Sequence, residues 1–211
     1  MFRIIIVDDH PVVLAGLKEI ITEGCGDVTI DEASTGYELI RKVLNSSYDL
    51  VLLDISLPDI NGLDALKEIK KKRPKLPVLV ISMYPEEQYA VRAVRAGAHG
   101  YITKRSLAGE LVLAVRQILS GKKYISTSLV EKMIFDFQTD IEKNPHENLS
   151  DRELQVLSMI GNGKSVKEIS EELHLSANTI RTFRARILEK IGVKKTNELI
   201  HYAIVHNLTE Q

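Results

Sequence analysis

The stretch Phe2-Arg-Ile-Ile-Ile-Val-Asp-Asp-His10 decides the fold. A short run rich in β-branched residues stops at two carboxylates, the pattern of a strand buried on both faces. Four more runs are read the same way: Val28 to Ala33, Leu50 to Leu53, Val78 to Ile81 and Gly100 to Ile102. Between them the apolar spacing turns helical. Val12, Leu14, Leu17, Ile20 and Ile21 mark a first helix, and Leu39, Ile40, Val43 and Leu44 a second. Leu63, Leu66 and Ile69 mark a third that ends in Lys70 to Arg73; Tyr89, Val91, Ala93 and Val94 carry a fourth; Leu107 to Leu119 form a fifth, stopped by Gly121. Five alternations of strand and helix imply parallel pairing through right-handed crossovers, with helices on both sheet faces. The expectation is a doubly wound α/β domain with a five-stranded parallel sheet over residues 1–121.

Length and composition agree. With 211 residues the chain has room for one or two domains at roughly 150 residues each. Hydrophobic residues make up 44% and charged residues 27%, the balance of a folded globular chain and not of a disordered tail. The single cysteine, Cys25, has no partner for a disulfide or a thiolate metal site, and no apolar stretch is long enough to span a bilayer. A cytoplasmic location with no membrane partner is therefore expected. The 28 basic and 29 acidic residues give a net charge of -1, which as an average argues against a polybasic nucleic-acid binder. Averages hide segments, however. Arg181 to Lys195 holds six basic residues and only Glu189.

Beyond Gly121 the pattern breaks. Residues 122–148 are read as a linker with one helix, Ser126 to Phe137, followed by the polar run Gln138 to Asn148 containing Asn144-Pro145. Helix starts then crowd together. Ser150-Asp-Arg-Glu153 and Ser165-Val-Lys-Glu168 are capping boxes, and Ser176 can cap a third helix. Residues 149–211 are thus expected to form a small all-α four-helix domain. Val166 to Leu173, a turn at His174-Leu175, and Ala177 to Ile191 fit a helix-turn-helix. On its second helix Ile180, Phe183, Ile187 and Ile191 face inward, while Asn178, Arg181, Thr182, Ala185 and Arg186 face out. Arg181 and Thr182 are best placed for base edges; Arg186, Lys190, Lys194 and Lys195 for phosphates. Arg184, nearer the apolar side, is expected to pair with an acidic residue such as Glu153.

The chemistry of the first domain lies at its strand ends. Ligands of open parallel sheets bind outside the carboxyl ends of the strands, and Asp8, Asp9 and Asp54 stand there. If the strand order is 2-1-3-4-5, the first and third strands are neighbours and the three carboxylates converge. Oxygen donors without His or Cys suit Mg²⁺, and Lys104 past the fifth strand adds a positive charge. A carboxylate so placed can attack a phosphoryl group, with Asp54 as nucleophile. Ser82 at the end of the fourth strand could donate to a phosphoryl oxygen, and Tyr101 could follow it inward. Any one Asp after a strand is usually a turn or cap residue. The joint pattern carries the reading.

These residues, Val7-Asp-Asp-His-Pro11, Leu53-Asp-Ile-Ser-Leu-Pro58, Asn61-Gly-Leu63, Ile81-Ser82 and Tyr101-Ile-Thr-Lys104, resemble the receiver domains of two-component response regulators, a flavodoxin-like fold of order 2-1-3-4-5. The resemblance implies Asp54 as acceptor of a phosphoryl group from a sensor histidine kinase. It implies Mg²⁺ held by Asp8, Asp9, Asp54 and the Ile55 backbone carbonyl, with Ser82, Tyr101 and Lys104 as switch residues. Leu149 to Leu157, Gly163 to Ile169 and Leu175 to Ile180 resemble the LuxR-type DNA-binding domain of the NarL/FixJ regulators. That implies DNA as partner, RNA polymerase beside it, and a phosphorylation-dependent homodimer using Thr196 to His206. Phe183 stands where that family usually has His.

Three competing readings are weaker. Haloacid-dehalogenase phosphatases use Asp-x-Asp, and position 56 is Ser. Gly163-Lys-Ser165 imitates a Walker A ending, but Ser158 occupies the place of its first glycine and no strand precedes it. A protein-binding adaptor would lack salt-dependent affinity for DNA. No enzyme activity beyond self-catalysed phosphotransfer and dephosphorylation is expected, and the six histidines show no metal-ligand spacing.

Overall fold

The computed structural model describes residues 1–126, 129–131 and 144–209. It divides into two compact units, Met1–Phe135 and Asp136–Gln211. The first contains β1 (Phe2–Val7), α1 (Pro11–Cys25), β2 (Val28–Ala33), α2 (Gly36–Asn45) and β3 (Leu50–Asp54). It continues with α3 (Gly62–Lys72), β4 (Val78–Ser82), α4 (Glu86–Arg95), β5 (Gly100–Thr103) and α5 (Leu107–Leu119). All four strand pairings are parallel, in the order β2-β1-β3-β4-β5. This is the doubly wound five-stranded sheet expected.

Alternation sorts the strand side chains onto the two faces. Ile4, Ile6, Leu50, Leu52, Leu79, Ile81 and Ile102 pack with Leu14, Leu17 and Ile21 of α1 and Leu111, Val115 and Ile118 of α5. Ile5, Val7, Val51, Leu53, Val78 and Val80 are equally buried on the other side, as are Leu39 and Val43 of α2 and Leu63, Leu66 and Ile69 of α3. The central strands β3 and β4 are buried throughout. β2 is not, since it lies at the sheet edge and only Ala33 is fully covered. Its Asp31 pairs with Arg3 at 2.7 Å and its Glu32 with Lys18 at 2.8 Å. Charge on an edge strand discourages pairing with other chains.

The opposite edge is covered by the segment after α5. Tyr124 bridges in parallel to Gly100, its amide donates to the His99 carbonyl at 2.8 Å, and its phenol donates to Glu110 at 2.9 Å. Gly100 makes this approach feasible: a Cβ there would stand 2.7 Å from the Tyr124 carbonyl oxygen. The Ser126 hydroxyl then donates to Glu86, the first residue of α4. Most of the helix expected over Ser126 to Phe137 lies outside the described residues; 129–131 are helical.

The second unit opens with a 3-10 turn, Pro145–Asn148, and holds α6 (Asp151–Gly161), α7 (Val166–Glu172), α8 (Ala177–Ile191) and α9 (Thr196–Val205). Both capping boxes form, Ser150 with Glu153 and Ser165 with Glu168, and Ser176 caps α8 through the Thr179 amide. Each satisfies amide donors that a helix start leaves open. Leu154, Leu157, Ile160, Ile169, Leu173, Ile180, Ile187, Ile191, Leu199 and Ala203 form the core. Gly163-Lys-Ser165 is the turn between α6 and α7, and Lys164 pairs with Glu172 at 2.7 Å. No strand precedes it in this unit among the described residues.

Candidate functional site

At the carboxyl edge of the sheet, β1 delivers Asp8 and Asp9, β3 ends in Asp54, and Lys104 follows β5. Register brings them together, because Val7 faces Leu53 across β1 and β3 and Asp54 faces Ile81 across β3 and β4. The Lys104 ammonium bridges two carboxylates, donating to Asp8 Oδ2 at 2.5 Å and Asp54 Oδ2 at 2.7 Å. The Asp8 and Asp54 side chains are 1% and 2% exposed, so neither charge is diluted by water. Burial raises the Asp54 carboxyl, opposed by Lys104 and reinforced by Asp8, to about 6. For Lys104 burial works against the charge, and the two carboxylates more than offset it, so its pKa is raised.

The loop after Asp54 is held by its own backbone. Asp54 Oδ1 accepts from the Ser56 amide at 3.2 Å. Asp59 accepts from the Gly36 and Tyr37 amides that open α2, at 2.9 and 2.8 Å, and Asn61 caps α3 through Leu63 at 2.9 Å. Gly62 is a close-approach residue, since a Cβ there would collide with the Asp54 carbonyl oxygen. The Ile55 carbonyl, expected as a metal ligand, accepts from the Gly62 amide at 2.9 Å and the Leu57 amide at 3.1 Å. Both bonds close the loop.

The donor set fits a hard cation. Asp9 Oδ1 is buried and accepts no hydrogen bond among the described residues, leaving an orphaned anionic oxygen beside Asp8. His10, the next residue along the chain, joins this group, where oxygen donors without His were expected. Its amide donates to Asp8 Oδ1 at 2.9 Å, and its ring Nδ1 lies 2.7 Å from Asp9 Oδ1 without hydrogen-bond alignment.

Ser82 and Tyr101 form a second group next to the first. Both are buried, and Tyr84 joins them: its amide donates to Ser82 Oγ at 3.1 Å and its carbonyl accepts from the Tyr101 phenol at 2.7 Å. Tyr84 also stacks on Tyr89 of α4 with ring centroids 4.5 Å apart. Sequence reasoning missed Tyr84, because its part depends on backbone atoms at the end of β4.

On the second unit, Asn178, Arg181, Thr182, Ala185 and Arg186 are exposed along one side of α8, with Lys194 and Lys195 exposed just beyond it. Arg181 donates to Asn178 at 2.8 Å, and Thr182 to the Asn178 carbonyl at 3.0 Å. Arg186, Lys194 and Lys195 form no side-chain ion pair among the described residues. Lys190 differs from its expected phosphate role: it pairs with buried Glu153 at 2.6 Å. Glu153 is thereby taken, and the partner expected for Arg184 is absent; Arg184 is half-buried with no ion pair among the described residues. Phe183, expected inside, is only half-buried.

Sheet order and the acid and lysine cluster place the first unit among receiver domains, and the capped helix-turn-helix makes the second a DNA-binding domain. Together they define a two-component response regulator. Comparison with known proteins extends this over the whole chain. The response regulator receiver domain family matches residues 4–116, and the bacterial regulatory proteins of the luxR family match residues 147–203. Response regulator UvrY of Escherichia coli K12 is 34% identical over 209 residues, 99% of this chain and 96% of that one. Response regulator GacA of Pseudomonas aeruginosa is 32% identical over 211 residues, 100% and 99% of the two chains. RcsB of Salmonella enterica serovar Typhimurium, solved on promoter rprA with the phosphomimetic BeF3-, superposes with a TM-score of 0.64 at 25% identity, covering 96% of this chain and 98% of its own. The chain belongs to the NarL/FixJ family of response regulators, with a receiver domain and a LuxR-type DNA-binding domain. Among the described residues no helix is long and apolar enough to cross a membrane.

Proposed function

We propose that Asp54 accepts a phosphoryl group from a sensor histidine kinase and that the phosphorylated chain binds promoter DNA as a homodimer to regulate transcription. The observation that carries this is the Lys104 bridge, 2.5 Å to Asp8 and 2.7 Å to Asp54. It fixes one Asp54 oxygen and keeps a cation where the charge of an arriving phosphoryl group collects. An Asp54 carboxylate oxygen attacks phosphorus as the bond to the donor breaks, and the electron pair of that bond leaves with the donor. Asp8, Asp9 and Asp54 would hold Mg²⁺, which when bound neutralises phosphoryl oxygens.

Phosphorylation biases an equilibrium between arrangements of the Ser82, Tyr84 and Tyr101 group. The loop carrying Tyr84 leads into α4, and the Glu86 that opens α4 accepts from Ser126 at the start of the linker. The switch therefore has a bonded connection to the segment leading out of the receiver. The functional division is a receiver over 1–121, a linker over 122–148 and a DNA-binding domain over 149–211. Asn178, Arg181 and Thr182 read base edges, and Arg186, Lys194 and Lys195 hold phosphates. Exposed Ile204 and Val205 of α9, 57% and 59% accessible, support dimerisation through Thr196 to His206. The chain works in the cytoplasm with RNA polymerase as a further partner and turns over no substrate of its own.

Intact mass after incubation with acetyl phosphate and Mg²⁺ tests the acceptor. The chain gains one labile phosphoryl group and Asp54→Asn gains none; an equally labile adduct on the variant refutes the assignment.

A further inference from the structure

The receiver carries a second charged region at the end of the sheet opposite Asp54. α3 finishes in Lys70, Lys71 and Lys72, Arg73 and Lys75 follow, and Lys122 and Lys123 lie just past α5. A cleft of about 600 Å³ at this end is lined by Lys72, Arg73 and Lys75 together with Asp49, Leu76 and Gly121. Lys70 and Lys123 belong to the same region. Burial first, and the Lys123 charge second, lower the Lys70 amine to about 8, and both cations act on His99 as well.

The usual account of lysines late in a helix is complementation of the helix dipole, and acidic neighbours usually pair with them. Neither suffices here. Lys71 is the one cation of the seven paired with a carboxylate among the described residues, with Glu68 at 2.5 Å. Lys70 donates to the Leu76 carbonyl at 2.6 Å and Arg73 to the Leu44 carbonyl at 3.4 Å, both neutral. Lys72, Lys75, Lys122 and Lys123 are exposed and form no ion pair among the described residues. The C-termini of α2, α3 and α5 at the cleft contribute roughly half a negative charge each. Asp49, whose carboxylate accepts from the Arg3 amide at 2.7 Å, adds one more. That offsets fewer than half of the six unpaired cations. Unneutralised charge of this density is the footprint of a polyanion.

We propose that this basal face of the receiver is a second, sequence-independent contact for the phosphate backbone of duplex DNA. The proposal rests on the DNA-binding function above, which supplies the polyanion. A helix-turn-helix held on its site raises the effective concentration of DNA phosphates for any other cationic surface of the same chain. Contacts of this kind add affinity and salt dependence without adding sequence preference. Exposed lysines with rotatable ammonium groups suit that purpose better than a rigid guanidinium fork.

The test measures binding of the full chain to a labelled random-sequence duplex by fluorescence anisotropy between about 50 and 200 mM salt. Replacing Lys72, Lys75 and Lys123 by Gln is expected to flatten the slope of log affinity against log salt by two to three, at about 0.9 per lost phosphate contact. A control lacking three receiver cations elsewhere, Lys18→Gln, Arg41→Gln and Lys67→Gln, is expected to lose less than one. Arg181→Ala with Arg186→Ala is expected to keep a salt-dependent remainder whose slope falls by a further two to three on adding the three basal changes. Equal slopes for the basal and control variants overturn the proposal while leaving the helix-turn-helix function intact. Absence of any low-salt binding of the random duplex by the parent chain overturns the basal contact, and the proposed function fails separately if the phosphorylated chain binds no promoter DNA. An unchanged DNA slope with loss of binding to polyglutamate assigns the face to an acidic protein and overturns the nucleic-acid reading.

Discussion

Asp54 shows how one residue joins stability to function. Its raised pKa means that the folded chain binds a proton more readily than the unfolded chain, whose carboxyl titrates near the ordinary 3.8. The stability this group contributes is present in full below that value and is lost as pH rises through about 6. At pH 7 a buried, partly compensated charge is therefore held at a cost that an amide avoids. Asp54→Asn is expected to raise the stability of the metal-free chain at pH 7 by on the order of 1–3 kcal/mol, with the gain shrinking toward pH 4. Urea denaturation at the two pH values checks this, and added Mg²⁺ should stabilise the parent more than the variant. A gain that is constant with pH would show that shape and not charge is responsible. At this scale Asp8, Asp54 and Lys104 were legible because their chemical types stand at strand ends and the sheet order brings strand ends together. The loop contacts of the Ile55 carbonyl and the surroundings of Arg184 were not, because each depends on which neighbour a backbone or side-chain atom meets. Local spacing does not contain that.

Element by element, the strands and helices were the most legible part of the chain. The expected strands differ from the observed ones only by the last residue of β3, β4 and β5, where a polar Asp54, Ser82 or Thr103 ends the apolar run. The misreading of β2 has the same root, since five half-exposed positions follow from its place at the edge, which only topology reveals. Lys190 illustrates how an element can alter a residue's meaning. On α8 alone it extends a basic stripe; packed against α6 it anchors Glu153, whose carboxylate also closes the Ser150 capping box. Lys190 is 39% exposed, so truncation is expected to cost only about 1 kcal/mol. Lys190→Ala should lower the thermal midpoint with little change in the salt slope of DNA binding. Lys194→Ala with Lys195→Ala should do the reverse. Calorimetry and anisotropy on the same samples separate the two, and a full loss of slope from Lys190→Ala alone would return it to the phosphates.

Over the whole molecule, the net charge of -1 conceals a strong separation. The receiver keeps Asp8, Asp9 and Asp54 at the carboxyl edge of the sheet and a group of unpaired lysines at the amino edge, and the second unit gathers cations along α8 and its exit. None of this survives averaging, which is why composition argued against nucleic acid while the arrangement argues for it. The residues after α5 correct another average. Tyr124 and Ser126 belong physically to the receiver, because they cover β5 and tie to Glu110 and Glu86. A chain ending at Ser126 is expected to stay monomeric when unphosphorylated, and one ending at Gly121 to self-associate through an uncovered strand edge, as light scattering would show. Equal behaviour of the two would deny Tyr124 that part. The glycine at position 100 thus bears on how such regulators can be recombined. A receiver transplanted onto a foreign output domain carries its own end-piece with it, and the seam at which evolution or an engineer can cut lies beyond that end-piece, inside what sequence alone describes as linker.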